Sequence, residues 1–121
     1  MITEDYASYE TAKLLKEKGF DEPCIYVYLH DGSEDTWDAD KEDIACQKPT
    51  LQMAMKWLRE VHRIDIEVRT HYLNYLKPND TRYYSGKILK GSEDVIHTIY
   101  AKDTYEEVCE AAIKYCLENL I

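Results

Sequence analysis

The side chains able to do chemistry in this chain are its carboxylates, its four cysteines and its four histidines. From Asp31 to Asp43 the acids Asp31, Glu34, Asp35, Asp38, Asp40, Glu42 and Asp43 stand against one lysine, with Trp37 alone among them. Oxygen donors at that density point to a hard cation, and Asp31, Ser33, Asp35 and Glu42 fall at the first, third, fifth and twelfth positions of a calcium-binding loop. Thr36, however, stands where such a loop needs glycine for its sharp turn, and Asp38 where it needs an apolar residue. The segment 31–43 is therefore expected to be a solvated, mobile acidic loop, with a short return strand near Ile44 to Cys46, and an acidic contact surface rather than a metal site.

The other constellations are weaker. Cys24, Cys46, Cys109 and Cys116 form no C-x-x-C pair, and the histidines have no zinc-ligand spacing among themselves or with the cysteines. Cys109 and Cys116, seven apart on one helix face, are expected in the core, where free thiols pack as small apolar groups. There is no G-x-S-x-G elbow and no glycine-rich phosphate loop. Asp65 and Glu67 could pass for paired carboxylates, but on an open strand face beside Arg69 they are expected to make cross-strand ion pairs. No catalytic residue, metal or cofactor is expected, and the chain is read as a non-enzyme.

The elements that must position these residues are clearer. Ser8 caps a helix over Tyr9 to Lys18 that Gly19 stops, with Phe20 folding back onto its end. Cys24 to His30 alternates as a strand that Asp31-Gly32 turns. Thr50 caps a second helix in which Leu51, Ala54, Met55, Leu58 and Val61 recur at helical spacing, with Met53 and Trp57 widening the stripe. The next strand alternates: Ile64, Ile66, Val68, Thr70 and Tyr72 are expected inward, and Asp65, Glu67, Arg69 and His71 outward. Lys77-Pro78-Asn79-Asp80 is a turn by composition, and Thr81 to Leu89 and Val95 to Ala101 are two further strands joined around Gly91-Ser92. Thr104-Tyr-Glu-Glu107 is a capping box opening a third helix, whose buried stripe is Tyr105, Val108, Cys109, Ala112, Cys116 and Leu120.

The order α-β-α-β-β-β-α predicts a single α+β domain over 1–121, two-layered, with an antiparallel meander sheet of three to four strands covered on one face by helices. The second and third helices would cover the sheet, and the first helix and strand would extend that layer. One sheet face is left to solvent or a partner. Arg69, His71 and Tyr72 of the fourth predicted element, with Trp57 and Arg59 of the helix before it, form the candidate interaction surface; for Trp57, which flanks the apolar stripe, a place in the core or at its edge is the favoured reading and the contact surface the alternative.

Composition narrows the function. In 121 residues with a net charge of −9, residues 1–48 hold 13 acids and 5 bases, residues 49–103 hold 7 and 9, and residues 104–121 hold 4 and 1. Direct nucleic-acid binding, which draws its affinity from Lys and Arg neutralising phosphates, is disfavoured. The last five elements have the topology of double-stranded RNA-binding domains, but Glu106, Glu107 and Glu110 stand where those carry bases. Eleven tyrosines, with an apolar body and a polar tip, suit a protein interface. No apolar leader or membrane-length run is present, so a cytoplasmic protein is expected.

Two stretches, Pro49-Thr50 with Ala54 and Trp57-Leu58-Arg59-Glu60, and the terminal Tyr105-Glu106-Glu107 helix, resemble an uncharacterised family of small acidic proteins of anaerobic bacteria and their phages. That family shares a PT-x3-A-x2-WLRE helix and a YEE-x2-EAA terminal helix, the second matched here with Val108-Cys109 in place of Ala-Leu. The resemblance implies phage or mobile-element provenance and carries no activity. The function expected is that of an accessory protein acting through a protein partner or as a homodimer through the open sheet face; an acidic mimic of DNA that inhibits a DNA-binding protein is the alternative.

Overall fold

The computed structural model describes residues 2–72, 82–91 and 94–121. The elements run α1 (Tyr9–Glu17), β1 (Tyr26–Leu29), β2 (Glu34–Thr36), β3 (Ile44–Gln47), α2 (Leu51–His62), β4 (Ile64–Tyr72), β5 (Arg82–Lys90), β6 (Val95–Lys102) and α3 (Tyr105–Asn119). The turn expected at Lys77 to Asp80, the strand start at Thr81 and Ser92 of the last turn lie outside the described residues.

The chain makes an α+β fold with two antiparallel sheets, ordered β2-β1-β3 and β4-β5-β6. The second is the expected meander. The first strand does not extend it: β1 pairs instead with β2, drawn from the acidic segment, and with β3, whose register places Tyr28 opposite Cys46. Hairpin geometry dictates this, because Gly32 at φ 85° reverses the chain and the amides of Leu29 and Gly32 are both hydrogen-bonded within the turn. α1 packs on this small sheet around Ala12, Tyr28, Ala45 and Cys46, and the Tyr28 hydroxyl donates to the Ala7 carbonyl at 2.6 Å.

Each helix start is satisfied as its sequence requires: the side chains of Ser8, Thr50 and Thr104 accept from the amides of Thr11, Met53 and Glu107. At α3 the Thr104 hydroxyl also donates to the Glu107 carboxylate at 3.1 Å, so the capping pair closes through the side chain. After α1, Gly19 at φ 99° lets the Phe20 amide return to the Leu15 carbonyl, and the Phe20 ring enters the core.

The main core lies between one face of β4-β5-β6 and the helices. Ile64, Ile88 and Ile99 of the sheet meet Leu58 of α2 and Val108, Ala112 and Ile113 of α3. α2 enters β4 through one residue, Arg63, held in the left-handed conformation at φ 58°. So sharp a reversal lays the helix back along its own strand. Twelve helical residues rise about 18 Å, whereas nine strand residues run about 30 Å, so α2 cannot reach the far end of β4. Ile64 is accordingly buried, Ile66 and Val68 are half-buried, and Thr70 and Tyr72, expected inward, are exposed. Val61 and Tyr105 were likewise expected in buried stripes and are exposed, since the core is met by the neighbouring positions Leu58 and Val108.

Candidate interaction surface

The opposite face of β4-β5-β6 has no helix on it among the described residues. Its composition follows from the register, because residues directly opposite in an antiparallel pair share a face. Glu67 lies opposite Lys87, Arg69 opposite Ser85 and His71 opposite Tyr83. Lys87 in turn faces Thr98 of β6. The His71 ring stacks on Tyr83 with centroids 4.6 Å apart and planes 11° apart, and His71 Nε2 is 2.7 Å from Ser85 Oγ. Two side chains of β5, Tyr83 and Ser85, thus hold the single His71 ring of β4. Beside them β6 exposes Val95, Ile96 and Tyr100, the last at 79%.

The five residues of the candidate surface separate. Arg69 and His71 lie on this face, as the alternation of β4 requires. Tyr72 is 65% exposed at the strand end but belongs to the row of the helical side. Arg59 is exposed on α2, across the sheet. Trp57 is removed from the surface: it is 8% exposed, with the Phe20 ring 5.5 Å away at 77° and the His62 ring 4.8 Å away at 73°, both edge to face. The fold-back of Phe20 after Gly19 is what covers it. Asp65 and Glu67 make no ion pair within 4.0 Å among the described residues; the pairs found are Lys48 with Glu34 and Lys114 with Glu10. Asp65 lies opposite Leu89, which offers it no charge.

The acidic segment is built around its turn. Asp31 Oδ1 accepts from the Ser33 amide at 2.9 Å and the Ser33 hydroxyl at 2.5 Å, and these bonds hold the Asp31 carboxyl below its ordinary range. All seven acids between Asp31 and Asp43 are exposed, and so is Trp37, at 70%. Among the described residues no group of three or more His, Cys, Asp or Glu is placed to hold a metal ion.

The chain matches no family model, no curated protein and no solved structure.

Two other clusters were not anticipated. Lys48, its side chain 13% exposed, pairs with Glu34 and lies 4.8, 5.8 and 5.5 Å from the ring centroids of Tyr6, Tyr26 and Tyr28. The ion pair and the negative ring faces compensate its desolvation. This arrangement floors an open groove of about 720 Å³ between the N-terminal segment and β2. Across the molecule, His97 faces the helices and stacks on Tyr115 of α3 at 3.6 Å and 4°.

Burial pushes the thiols of Cys24 and Cys109 up to about 11 and that of Cys116 up to about 12, and raises Cys46 as well. Thiols held protonated at neutral pH are poor nucleophiles and poor metal ligands.

Tyr83 and Tyr100 are the surface residues that sequence reasoning missed. Tyr83 acquires its facing from the β4-β5 register, and a register between two strands has no signal in either strand alone.

Proposed function

We propose that this protein is a non-enzymatic interaction module whose contact surface is the uncovered face of β4-β5-β6, with Arg69, His71, Tyr83, Ile96 and Tyr100 as its central residues. One observation carries the reading: a sheet face with a stacked His71-Tyr83 pair and a tyrosine 79% exposed has no helix on it among the described residues. Aromatic and arginine side chains of limited mobility bury much area at little entropic cost, which is why interface hot spots favour them. The resemblance of the two helical motifs points to an accessory protein of phage or mobile-element type working inside the cell. No helix among the described residues is long and apolar enough to cross a membrane.

The test is affinity capture from the native host with the wild-type chain and with Tyr83→Ala and Tyr100→Ala. The reading expects a stoichiometric protein partner that both variants lose while keeping the wild-type circular dichroism spectrum. A partner retained at full stoichiometry by both, or no partner at all, contradicts it.

A second reading, the acidic DNA mimic, is favoured by the exposure of all seven acids from Asp31 to Asp43. It expects the recovered partner to be a DNA-binding protein released by neutralising Asp38, Asp40 and Glu42 rather than by altering Tyr100.

A further inference from the structure

We infer that the chain forms a two-fold symmetric dimer by pairing β4 with the β4 of a second copy, edge to edge and antiparallel about Val68. β4 is an edge strand: its hydrogen-bonded neighbour among the described residues is β5 alone. Its outer row of amides and carbonyls is a template for another strand. It is also regular, paired with β5 over nine consecutive positions without a shift. The opposite edge differs. β6 carries an extra residue at Ile96 and another between Ile99 and Lys102, and such bulges bend an edge out of reach of a partner strand.

What selects a second copy is the order of charges along β4. Ile64-Asp-Ile-Glu-Val-Arg-Thr-His-Tyr72 has its acids before Val68 and its basic groups after it, at mirrored distances. Antiparallel pairing about Val68 sets Glu67 against the partner's Arg69 and Asp65 against the partner's His71. The two-fold axis repeats both contacts, so each outward polar side chain of the strand meets its complement. On the helical side Ile66 meets the partner's Thr70, and the partner's Tyr72, the ring that α2 stops short of covering, falls opposite Ile64, which is already fully buried.

Neighbouring registers lack this property. Centring the pair on Glu67 sets Glu67 against itself, centring it on Arg69 sets Arg69 against itself, and slipping one strand by one residue puts outward side chains opposite inward ones. One register is thereby chosen. The dimer would join the two meanders into one six-stranded sheet with all helices on one side, doubling the uncovered face. This goes beyond the proposed partner contact: it adds the strand edge to a face from which it also draws Arg69 and His71, and it is read on the pure chain, without a captured partner.

Sedimentation of the full chain tests it, comparing wild type, Glu67→Arg, Arg69→Glu and the double exchange, each checked for the wild-type circular dichroism spectrum. Wild type should be dimeric. Each single reversal turns two attractive contacts into two repulsive ones and should weaken the dimer by about tenfold or more. The double exchange restores opposite charges in the same register and should restore the dimer. A monomeric wild type overturns the inference, as do single variants that dimerise like wild type or a double exchange no better than the singles.

Discussion

Gly86 of β5 lies against Val108 of α3 so closely that a Cβ at position 86 would stand 2.6 Å from Val108 Cγ1. Carbon atoms do not approach to that distance, so the spacing of α3 from the sheet is set by the absence of a side chain there. Gly86→Ala should destabilise the fold by about 1–3 kcal/mol, as overpacking does. Shortening the neighbour in Gly86→Ala/Val108→Ala should recover part of that loss despite the small cavity it opens. Urea denaturation of the two singles and the double measures this as a coupling energy; strict additivity would mean that the helix simply moves away.

Trp57 and Tyr100 provide a contrast of similar side chains in opposite places. Trp57→Ala should cost about 3–5 kcal/mol, because the ring is enclosed by Phe20 and His62. Tyr100→Ala should change stability by no more than about 0.5 kcal/mol. Thermal denaturation of both variants checks the assignment of Trp57 to the core and of Tyr100 to the surface.

Much of this architecture is legible locally. β4 occupies the span its alternation marks, and the caps at Ser8, Thr50 and Thr104 act as their residue types dictate, since each depends on neighbours within a few positions. The division into two sheets was not legible, because β2 consists of Glu34, Asp35 and Thr36, all exposed, and leaves no apolar period to read. The fate of Tyr72 was hidden for another reason: alternation gives the facing of a side chain but not how far a helix extends over it. Of the candidate surface, Arg69 and His71 could be read from parity alone. Trp57 is legible toward the core from its place beside the apolar stripe, though its cover by Phe20 is not, and Tyr83 and Tyr100 required the registers of β5 with its neighbours.

The buried thiols give a prediction in pH. Cys109 and Cys116 have folded values near 11 and 12 against an ordinary thiol value of 9.0, raised first by burial. A proton held more tightly when folded stabilises the fold fully below the unfolded value, and that contribution is lost as pH rises through the window from about 9 to 12. Stability should therefore fall across alkaline pH, and replacing both residues with alanine should flatten that fall. Under native conditions near neutral pH a maleimide should label Cys24, the half-buried thiol, ahead of Cys46, Cys109 and Cys116. Labelling at equal rates, read by peptide mass analysis, would contradict the burial.

The Tyr28 hydroxyl donates to the carbonyl of Ala7 within a buried setting and so ties the N-terminal segment to the small sheet. Tyr28→Phe should cost about 1 kcal/mol and increase hydrogen exchange at Ala7, whose amide is bonded to the Pro49 carbonyl at 2.9 Å. Unchanged exchange there would place the tie elsewhere.

The central claim, that the uncovered face of β4-β5-β6 is the contact surface, is tested most directly by covalent footprinting of the protein free and bound to its captured partner. Tyr100 and Trp37, at 79% and 70% exposure, report the sheet face and the acidic segment respectively. Protection of Tyr100 with Trp37 labelled as in the free protein is the predicted result; protection of Trp37 with Tyr100 still fully labelled would contradict it.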